Sequence, residues 1–415
     1  MRYRIYAGLA GLLLTLLLTA CAGPGRENRP AGPEPSQEAG GPVTAEPEET
    51  AGPSEMESPA AGETSAPPAP QETAEAQPSL PPEGQNTDIL RPSTWEDIQG
   101  ELRAAISGVR QPVPMDVSGM TPEEAWDIDI RNLYYQLMGQ DPQLKYAYDI
   151  SVTEEGGTLL CQVSYMPYKT GSWPEAQNAL TVSTLGELLR AAEDHIGADP
   201  LPIRLTDPSL APDDLNRVLQ QAGGGYILCA LNRDGTAVTY TPAMGMEMEE
   251  CLALLEHAGQ LAEQIAAQET DSSMTEREKA EALYTYLISH VKYDHRYNSD
   301  RVNMPYDAQT AIGALRDNLA ICGGYSHALQ LLFEQAGIPC FNMTGKYFGQ
   351  NHMWSIARLD GEWLWFDATS DRGLSPQFGL RHFALEELDP TQYQWEPGDV
   401  ELLLRAEDAR LQLGQ

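Results

Sequence analysis

The sequence predicts an α+β protein, with two small repeated α+β modules ahead of a larger α+β unit. Three observations carry this. Two stretches, 93–175 and 180–265, each read helix, strand, helix, strand, strand. A third, 275–389, places its helices before its strands, the segregated order of α+β folds. Segments such as KYAYDISV and LLCQVSYMPY alternate apolar and polar residues, as strands with one buried face do.

The chain opens with a basic pair, Arg2 and Arg4, and an apolar run from Ala7 to Leu18, closed by Leu18-Thr19-Ala20-Cys21. A short apolar core before small residues marks an export signal, since a spanning helix needs roughly 20 apolar residues. Residues 1–20 are therefore expected to be a signal peptide. The cysteine at the cut position resembles a bacterial lipoprotein signal. That resemblance implies that Cys21 is lipidated and that the protein is tethered on the extracellular side of the cell membrane; the alternative is secretion with a free Cys21. Residues 21–92 read as a linker: Pro, Glu, Ala, Gly, Ser and Thr dominate, with no aromatic residue and no lysine between Cys21 and Trp95. Such a segment cannot offset its ordering entropy by burial. Its prolines and like-signed glutamates extend it, which suits a spacer holding the folded part off the membrane.

In the first module TWEDIQGELRAAISG is a helix capped by a threonine, PVPMDVSG a strand, and MTPEEAWDIDIRNLYYQLMGQDP a second helix; the hairpin KYAYDISV and LLCQVSYMPY turns at EEGG. In the second, TLGELLRAAEDHIGA, LPIRLTD, LAPDDLNRVLQQAG, GYILCAL and TAVTYTPA follow the same order, with a turn at NRDG. TPEE and APDD place a proline and acids in the first turn of each second helix. An acidic helix follows from Met248 to Ala267. Thr275 and Glu278 then form a capping box at the start of SSMTEREKAEALYTYLISHV. After the polar, aromatic-studded loop YDHRYNSDRVNMPYDAQT come short helical AIGALRDN, a helix opening at Cys322, and strands FNMTGKY, HMWSIARL and EWLWF, the last two joined tightly at DGEW. Residues 390–415 are expected to be a tail of acidic turns.

The chain has 61 acidic and 26 basic residues, a formal charge of -35. Nucleic-acid binding needs basic patches, so no nucleic-acid partner is expected, and tight docking to anionic lipid is disfavoured. No CxxC pair, no EF-hand loop and no phosphate-cradling glycine loop occurs; QAGGGYIL merely enters a strand. No metal and no cofactor is expected. Beyond Cys21 the cysteines are Cys161, Cys229, Cys251, Cys322 and Cys340, an odd set that leaves at least one thiol unpaired. Cys161 and Cys229 lie in strand-like runs and read as small buried apolar residues. Cys340 could approach Cys322, and a disulfide between them stays open.

Cys322 is the candidate nucleophile. Ala328, Leu331, Leu332 and Ala336 fall at helical spacing behind it, which puts the thiol at a helix N-terminus, where free amides and the helix field stabilise a thiolate. Gly323 and Gly324 let the chain turn tightly there. His352 lies 30 residues on (352 − 322) at the entry to an alternating strand, and Asp367 another 15 on (367 − 352), ending the apolar WLWF. Thiol, imidazole and carboxylate in that order are the parts of a thiol acyl-transfer site: nucleophile, base, and an acid that fixes the ring. The backbone N–H of Cys322 is a candidate oxyanion donor, with Tyr293 or Tyr306 as second candidates. His290, His295 and His327 read as structural or surface residues.

VKYDHRY, the GAL of AIGALRDN, AICGGYSHALQLLFEQAGIPC and NHMWSIARLDGEWLWFDAT make the chain resemble the transglutaminase-like superfamily, especially its bacterial extracellular members. Members carry a C-x-G-Y-type helix start, a GI-P turn, a His-x-Trp strand and a D-x-T end. The resemblance covers 275–389 and implies a papain-like fold, with the nucleophile helix packed on an antiparallel sheet that carries His and Asp. It also implies Cys322 as nucleophile, His352 as base and Asp367 as orienter. Met353 and Ser355 depart from the usual His-Ala-Trp-Asn. The implied function is a cell-surface peptidase or amidase acting on protein or peptidoglycan peptides. The alternatives are a protein-crosslinking transamidase and a non-catalytic envelope binding or scaffold protein.

Overall fold

The computed structural model describes residues 89–413 apart from 175–177, 199, 244 and 375–378. The expected signal peptide, Cys21 and the linker up to residue 88 lie outside the described residues. Among the described residues no helix is long and apolar enough to cross a membrane.

Helix α1 (Trp95–Ser107) begins at a reciprocal cap: the Asp97 amide donates to the Thr94 hydroxyl at 3.1 Å and the Thr94 amide to the Asp97 carboxylate at 3.0 Å. It buries Ile98, Leu102, Ala105 and Ile106 against strands β1 (Val113–Asp116), β2 (Ala147–Glu155) and β3 (Thr158–Tyr165). These form an antiparallel sheet in the order β1-β3-β2. Helix α2 (Trp126–Gln140) starts later than the sequence suggested. TPEE is not its first turn; instead the Asp129 carboxylate reaches back to accept the Glu123 and Glu124 amides, and Trp126 docks on Trp95 at 5.5 Å. An acid already inside the helix thus satisfies the preceding amides, and burial of the indole fixes where the helix begins.

In the next unit strand β4 (Leu180–Val182) leads to helix α3 (Leu185–Asp194), whose capping box pairs Thr184 with Glu187. Strand β5 (Leu201–Leu205) follows, then helix α4 (Pro212–Leu219), whose first turn carries Pro212, Asp213 and Asp214 as expected. Strands β6 (Ile227–Leu231) and β7 (Ala237–Pro242) complete a sheet in the order β4-β5-β7-β6. In both sheets the single strand lies beside the second strand of the hairpin. The short β4, which runs parallel to β5, is an addition.

Helix α5 (Met248–Glu269) and helix α6 (Glu276–His290), with its Thr275/Glu278 capping box, lead into a parallel pair, β8 (Lys292–Tyr293) and β9 (Leu319–Ala320). Helix α7 (Cys322–Gln335) then packs on an antiparallel sheet of β10 (Cys340–Tyr347), β11 (Gln350–Leu359), β12 (Glu362–Phe366) and β13 (Tyr393–Gln394), in the order β12-β11-β10-β13. The β11–β12 connection is the tight turn expected at DGEW, with Asp360 and Gly361 at φ of 54° and 90°. Tyr325, Ala328, Leu329, Leu332 and Phe333 form the buried face of α7, and Phe333 meets Phe366 edge-on at 5.2 Å. Burial of each large side chain there contributes about 1.5–3 kcal/mol, which holds the helix at a set height on the sheet.

The segment 390–415, expected to be turns, contains β13 and the 15-residue helix α8 (Asp399–Leu413). Leu402, Leu403 and Ala406 are buried, and α8 crosses α3 at Gly186, where any Cβ would run into the Ala409–Arg410 backbone. The narrow apolar stripe becomes helical because a neighbouring helix covers it, a tertiary effect that local composition does not display.

Candidate active site

Cys322 is the first residue of α7, after Ile321 in an extended conformation, and no side chain caps the helix start. The leading amides are therefore left to whatever sits at the sulfur. Gly323 and Gly324 matter for a different reason than the expected tight turn: neither has a left-handed φ. A Cβ at Gly323 would lie 2.8 Å from the Gln309 carbonyl oxygen, and one at Gly324 2.7 Å from that of Ala308. Close backbone approach requires both glycines. The Ile321 amide donates to the Ala308 carbonyl at 2.7 Å, so the nucleophile turn is seated on that segment.

His352 lies on β11 opposite Gly345, with a side chain only 10% exposed. Its Nε2–H donates to Asp367 Oδ2 at 2.8 Å, and its ring lies between Tyr347, at 5.3 Å, and Trp354, at 6.0 Å. The Cys322 thiol lies close enough to the ring for each to shift the other's titration. With Nε2 engaged by the carboxylate, Nδ1 is the nitrogen left to face sulfur. Asp367 ends β12 and is 1% exposed. Its Oδ1 accepts the Ser370 amide at 3.1 Å, and its Oδ2 also accepts the Ser370 hydroxyl at 2.6 Å and the Tyr393 hydroxyl at 2.7 Å. Asp367 is thus both the cap of the one-turn helix Ala368–Asp371 and the partner of the ring. The structure brings all three sequence-predicted residues into one array.

The charges in that array support one another. Burial alone would raise the Asp367 pKa, but the His352 charge and hydrogen bond, helped by Ser370 and Tyr393, outweigh it and hold the carboxyl low. Burial would lower His352; the Asp367 charge and hydrogen bond, with the thiol, instead raise it to about 10. Burial would raise Cys322, yet the His352 hydrogen bond and charge and the Met353 amide bring it below the ordinary thiol value. A thiolate beside an imidazolium is the state this arrangement favours.

Two features escaped sequence reasoning. Tyr393 reaches Asp367 from β13, beyond the stretch read as the catalytic unit, and nothing in QYQW signals it. Beside the array stands a second pair, a partly exposed histidine on a buried carboxylate: His382 Nδ1–H donates to Asp371 Oδ1 at 2.8 Å, while Asp371 Oδ2 accepts the Tyr284 hydroxyl and the amides of Arg381 and His382. The His382 carbonyl in turn accepts the Asp367 amide at 2.9 Å, so this pair braces the end of β12. Asp371 stands four residues after Asp367, the one signal the sequence offered.

Of the oxyanion candidates, Tyr306 donates its hydroxyl to the Gly225 carbonyl at 2.6 Å and is committed elsewhere. The Tyr293 ring is covered by the Arg372 guanidinium at 4.8 Å. The Cys322 amide lies on the helix start. His327 contacts Asn342, His290 stacks on Tyr286 and His295 meets Tyr293 edge-on. Cys161, Cys229, Cys251 and Cys340 are buried free thiols, and Cys322 is a free, partly exposed one. Among the described residues no group of three or more His, Cys, Asp or Glu could hold a metal ion.

Residues 260–368 match the family model of the Transglutaminase-like superfamily. The chain therefore carries a transglutaminase-like domain toward its C-terminus, within a mixed α and β architecture. No curated protein matches the chain. Among solved structures it is similar to a TGase (15% identity, TM-score 0.27, covering 73% of this chain and 63% of that one). It is also similar to a proposed cysteine protease from Cytophaga hutchinsonii (22%, TM-score 0.22, 31% and 41%). A third is the periplasmic domain of TgpA from Pseudomonas aeruginosa bound to ethylmercury (13%, TM-score 0.22, 35% and 63%). The chain spans less than two thirds of the length of each of these. Those scores are low, and the assignment rests on the family match.

Proposed function

We propose that this transglutaminase-like domain is a thiol acyl-transfer enzyme that cleaves amide bonds in protein or cell-wall peptides, with Cys322, His352 and Asp367 as its catalytic residues. The observation that carries the reading is the 2.8 Å hydrogen bond from His352, the ring that neighbours the helix-start thiol, to a carboxylate that is 1% exposed. A carboxylate so buried, and so fully supplied with donors, is organised to hold a cationic ring.

The reaction follows from the atoms. The Cys322 proton passes to His352 Nδ1, and sulfur attacks the amide carbon. The developing oxyanion meets the Cys322 amide and the field of α7. As the C–N bond breaks, His352 returns the proton to the leaving amine, and a thioester remains. Water, deprotonated by His352, then attacks the thioester and releases the carboxylic acid and the thiol. Asp367 keeps the ring oriented and its charge matched at each step. Hydrolysis requires only water as second acceptor, whereas crosslinking requires a cleft for an amine. The lipoprotein-like N-terminus supports a place on the outer face of the cell membrane, anchored through Cys21, which is why envelope peptides are the proposed substrates.

The test uses the purified chain and its Cys322→Ala variant on a panel of cell-wall and protein peptides, with and without a labelled primary amine. Cleavage that is lost in the variant supports the hydrolase. Amine incorporation that depends on Cys322 replaces it with the transamidase. Equal behaviour of the two proteins, with no rapid thiol labelling of Cys322, overturns the enzymatic reading in favour of a binding or scaffold protein.

A further inference from the structure

The sequence QAGGGYIL is not a phosphate loop, yet the structure gives it a task. Gly223, Gly224 and Gly225 all have left-handed φ, of 89°, 54° and 84°. They deliver Tyr226, which is 1% exposed, onto residues 306–310 of the segment ahead of the nucleophile. The Tyr226 hydroxyl donates to Asp307 Oδ1 at 2.6 Å and accepts from the Thr310 hydroxyl at 2.9 Å. Tyr306 returns a hydrogen bond from its own hydroxyl to the Gly225 carbonyl, and the two tyrosine rings lie 6.0 Å apart. Asp307 is held from its other oxygen by Arg316 at 2.8 Å.

The opposite side of the same five residues is the seat of Cys322. The Ala308 carbonyl accepts the Ile321 amide, and the carbonyls of Ala308, Gln309 and Thr310 crowd Gly323 and Gly324 so closely that each would meet a Cβ within 3 Å. A shift of residues 306–310 therefore passes directly into the turn that carries the thiol, because packed backbone has no slack to absorb it.

We propose that Tyr226 is a positioning residue for Cys322, through which the second α+β unit sets the nucleophile turn against His352. The upstream unit is then part of what makes the thiol reactive, and not only a surface for recognition. This rests on Cys322 being the nucleophile of the preceding reading. Tyr226→Phe removes one hydroxyl and little volume; Asp307 keeps Arg316, and the Thr310 hydroxyl keeps a second acceptor in the Asp307 carbonyl at 2.9 Å. Tyr306→Phe cuts the other contact independently.

The experiment measures iodoacetamide alkylation of Cys322 against pH, by mass spectrometry of the full chain, well below each variant's melting temperature. The expected result is a midpoint raised by about half a unit to one unit in either variant, as the thiol moves relative to the His352 ring, with a native circular dichroism spectrum. A variant that only loosened the fold would melt earlier and keep its midpoint. His352→Gln runs alongside as the control on the underlying reading. If it raises the midpoint while both tyrosine variants match the wild type, the positioning role is wrong and the nucleophile reading stands. If none of the three moves it, both fall.

Discussion

Replacing His352 by glutamine removes the cation while keeping an amide N–H that can still donate to Asp367. In the wild type, burial and the negative Asp367 raise the Cys322 pKa, while the His352 hydrogen bond and charge and the Met353 amide lower it, and the lowering wins. The variant keeps both raising influences and loses the ring, so the thiol should titrate above its ordinary value. An opposite charge at this range is worth about 1–3 pK units. At a pH below both midpoints a rise of about 2 units would cut the thiolate about 100-fold, but a more basic thiolate is the better nucleophile with a Brønsted slope near 0.5, so alkylation there would slow only about 10-fold. The midpoint of the pH–rate curve is therefore the sharper readout than the rate at one pH. It should move from below the free-thiol range to above it, with the native far-UV spectrum retained. A midpoint that stays where the wild type has it would show that His352 does not govern the thiol, and the array would lose its chemical meaning.

Three further outcomes follow from specific contacts. Tyr393→Phe deletes one donor to Asp367, and a hydrogen bond to a buried charge is worth about 1.5–3 kcal/mol. Because the folded Asp367 pKa is depressed, its stabilisation is present above the unfolded value near 3.8 and lost as pH falls; the variant should lose urea stability at pH 7 and unfold at a higher pH on acidification, and unchanged acid unfolding would contradict this. Glu407, 3% exposed beside Arg410, is raised by burial to about 7, so its contribution should fall by up to about 3 kcal/mol as pH rises from its unfolded value near 4.5 to 7; Glu407→Gln should flatten that part of the stability–pH curve, and an unaltered curve would count against the assignment. Gly345→Ala places a methyl against the Gln394 carbonyl and the Trp354 ring, so it should cost about 1–3 kcal/mol and displace β13 with Tyr393; chemical denaturation at wild-type stability would refute that close approach.

Much of the fold was legible because it is locally encoded. The three threonine caps at Thr94, Thr184 and Thr275 each sit three residues ahead of an acid; the reciprocal pair expected at Thr275 forms, and the other two caps form one as well. The apolar spacing behind Cys322 and the alternation around Trp354 place helix and strand because 3.6- and 2-residue periods are properties of short windows. The start of α2 escaped because Asp129 and the Trp126–Trp95 contact outcompete the Thr-Pro signal. Helix α8 escaped because its stripe gains a partner only when α3 lies beneath it at Gly186.

By itself the sequence determined the chemical types and their local settings: a cysteine at a helix start, a histidine entering a strand, an aspartate ending one, and an acidic chain. Those depend on residue identity and near neighbours. Only the tertiary structure decided that Asp367 serves cap and ring together, that Tyr393 from the presumed tail completes its coordination, and that Tyr226 from another unit braces the floor under Cys322. The Tyr393 and Tyr226 contacts join residues 26 and 81 positions apart, and hydrogen-bond partners at that range are set by how packed elements meet, which no local pattern records.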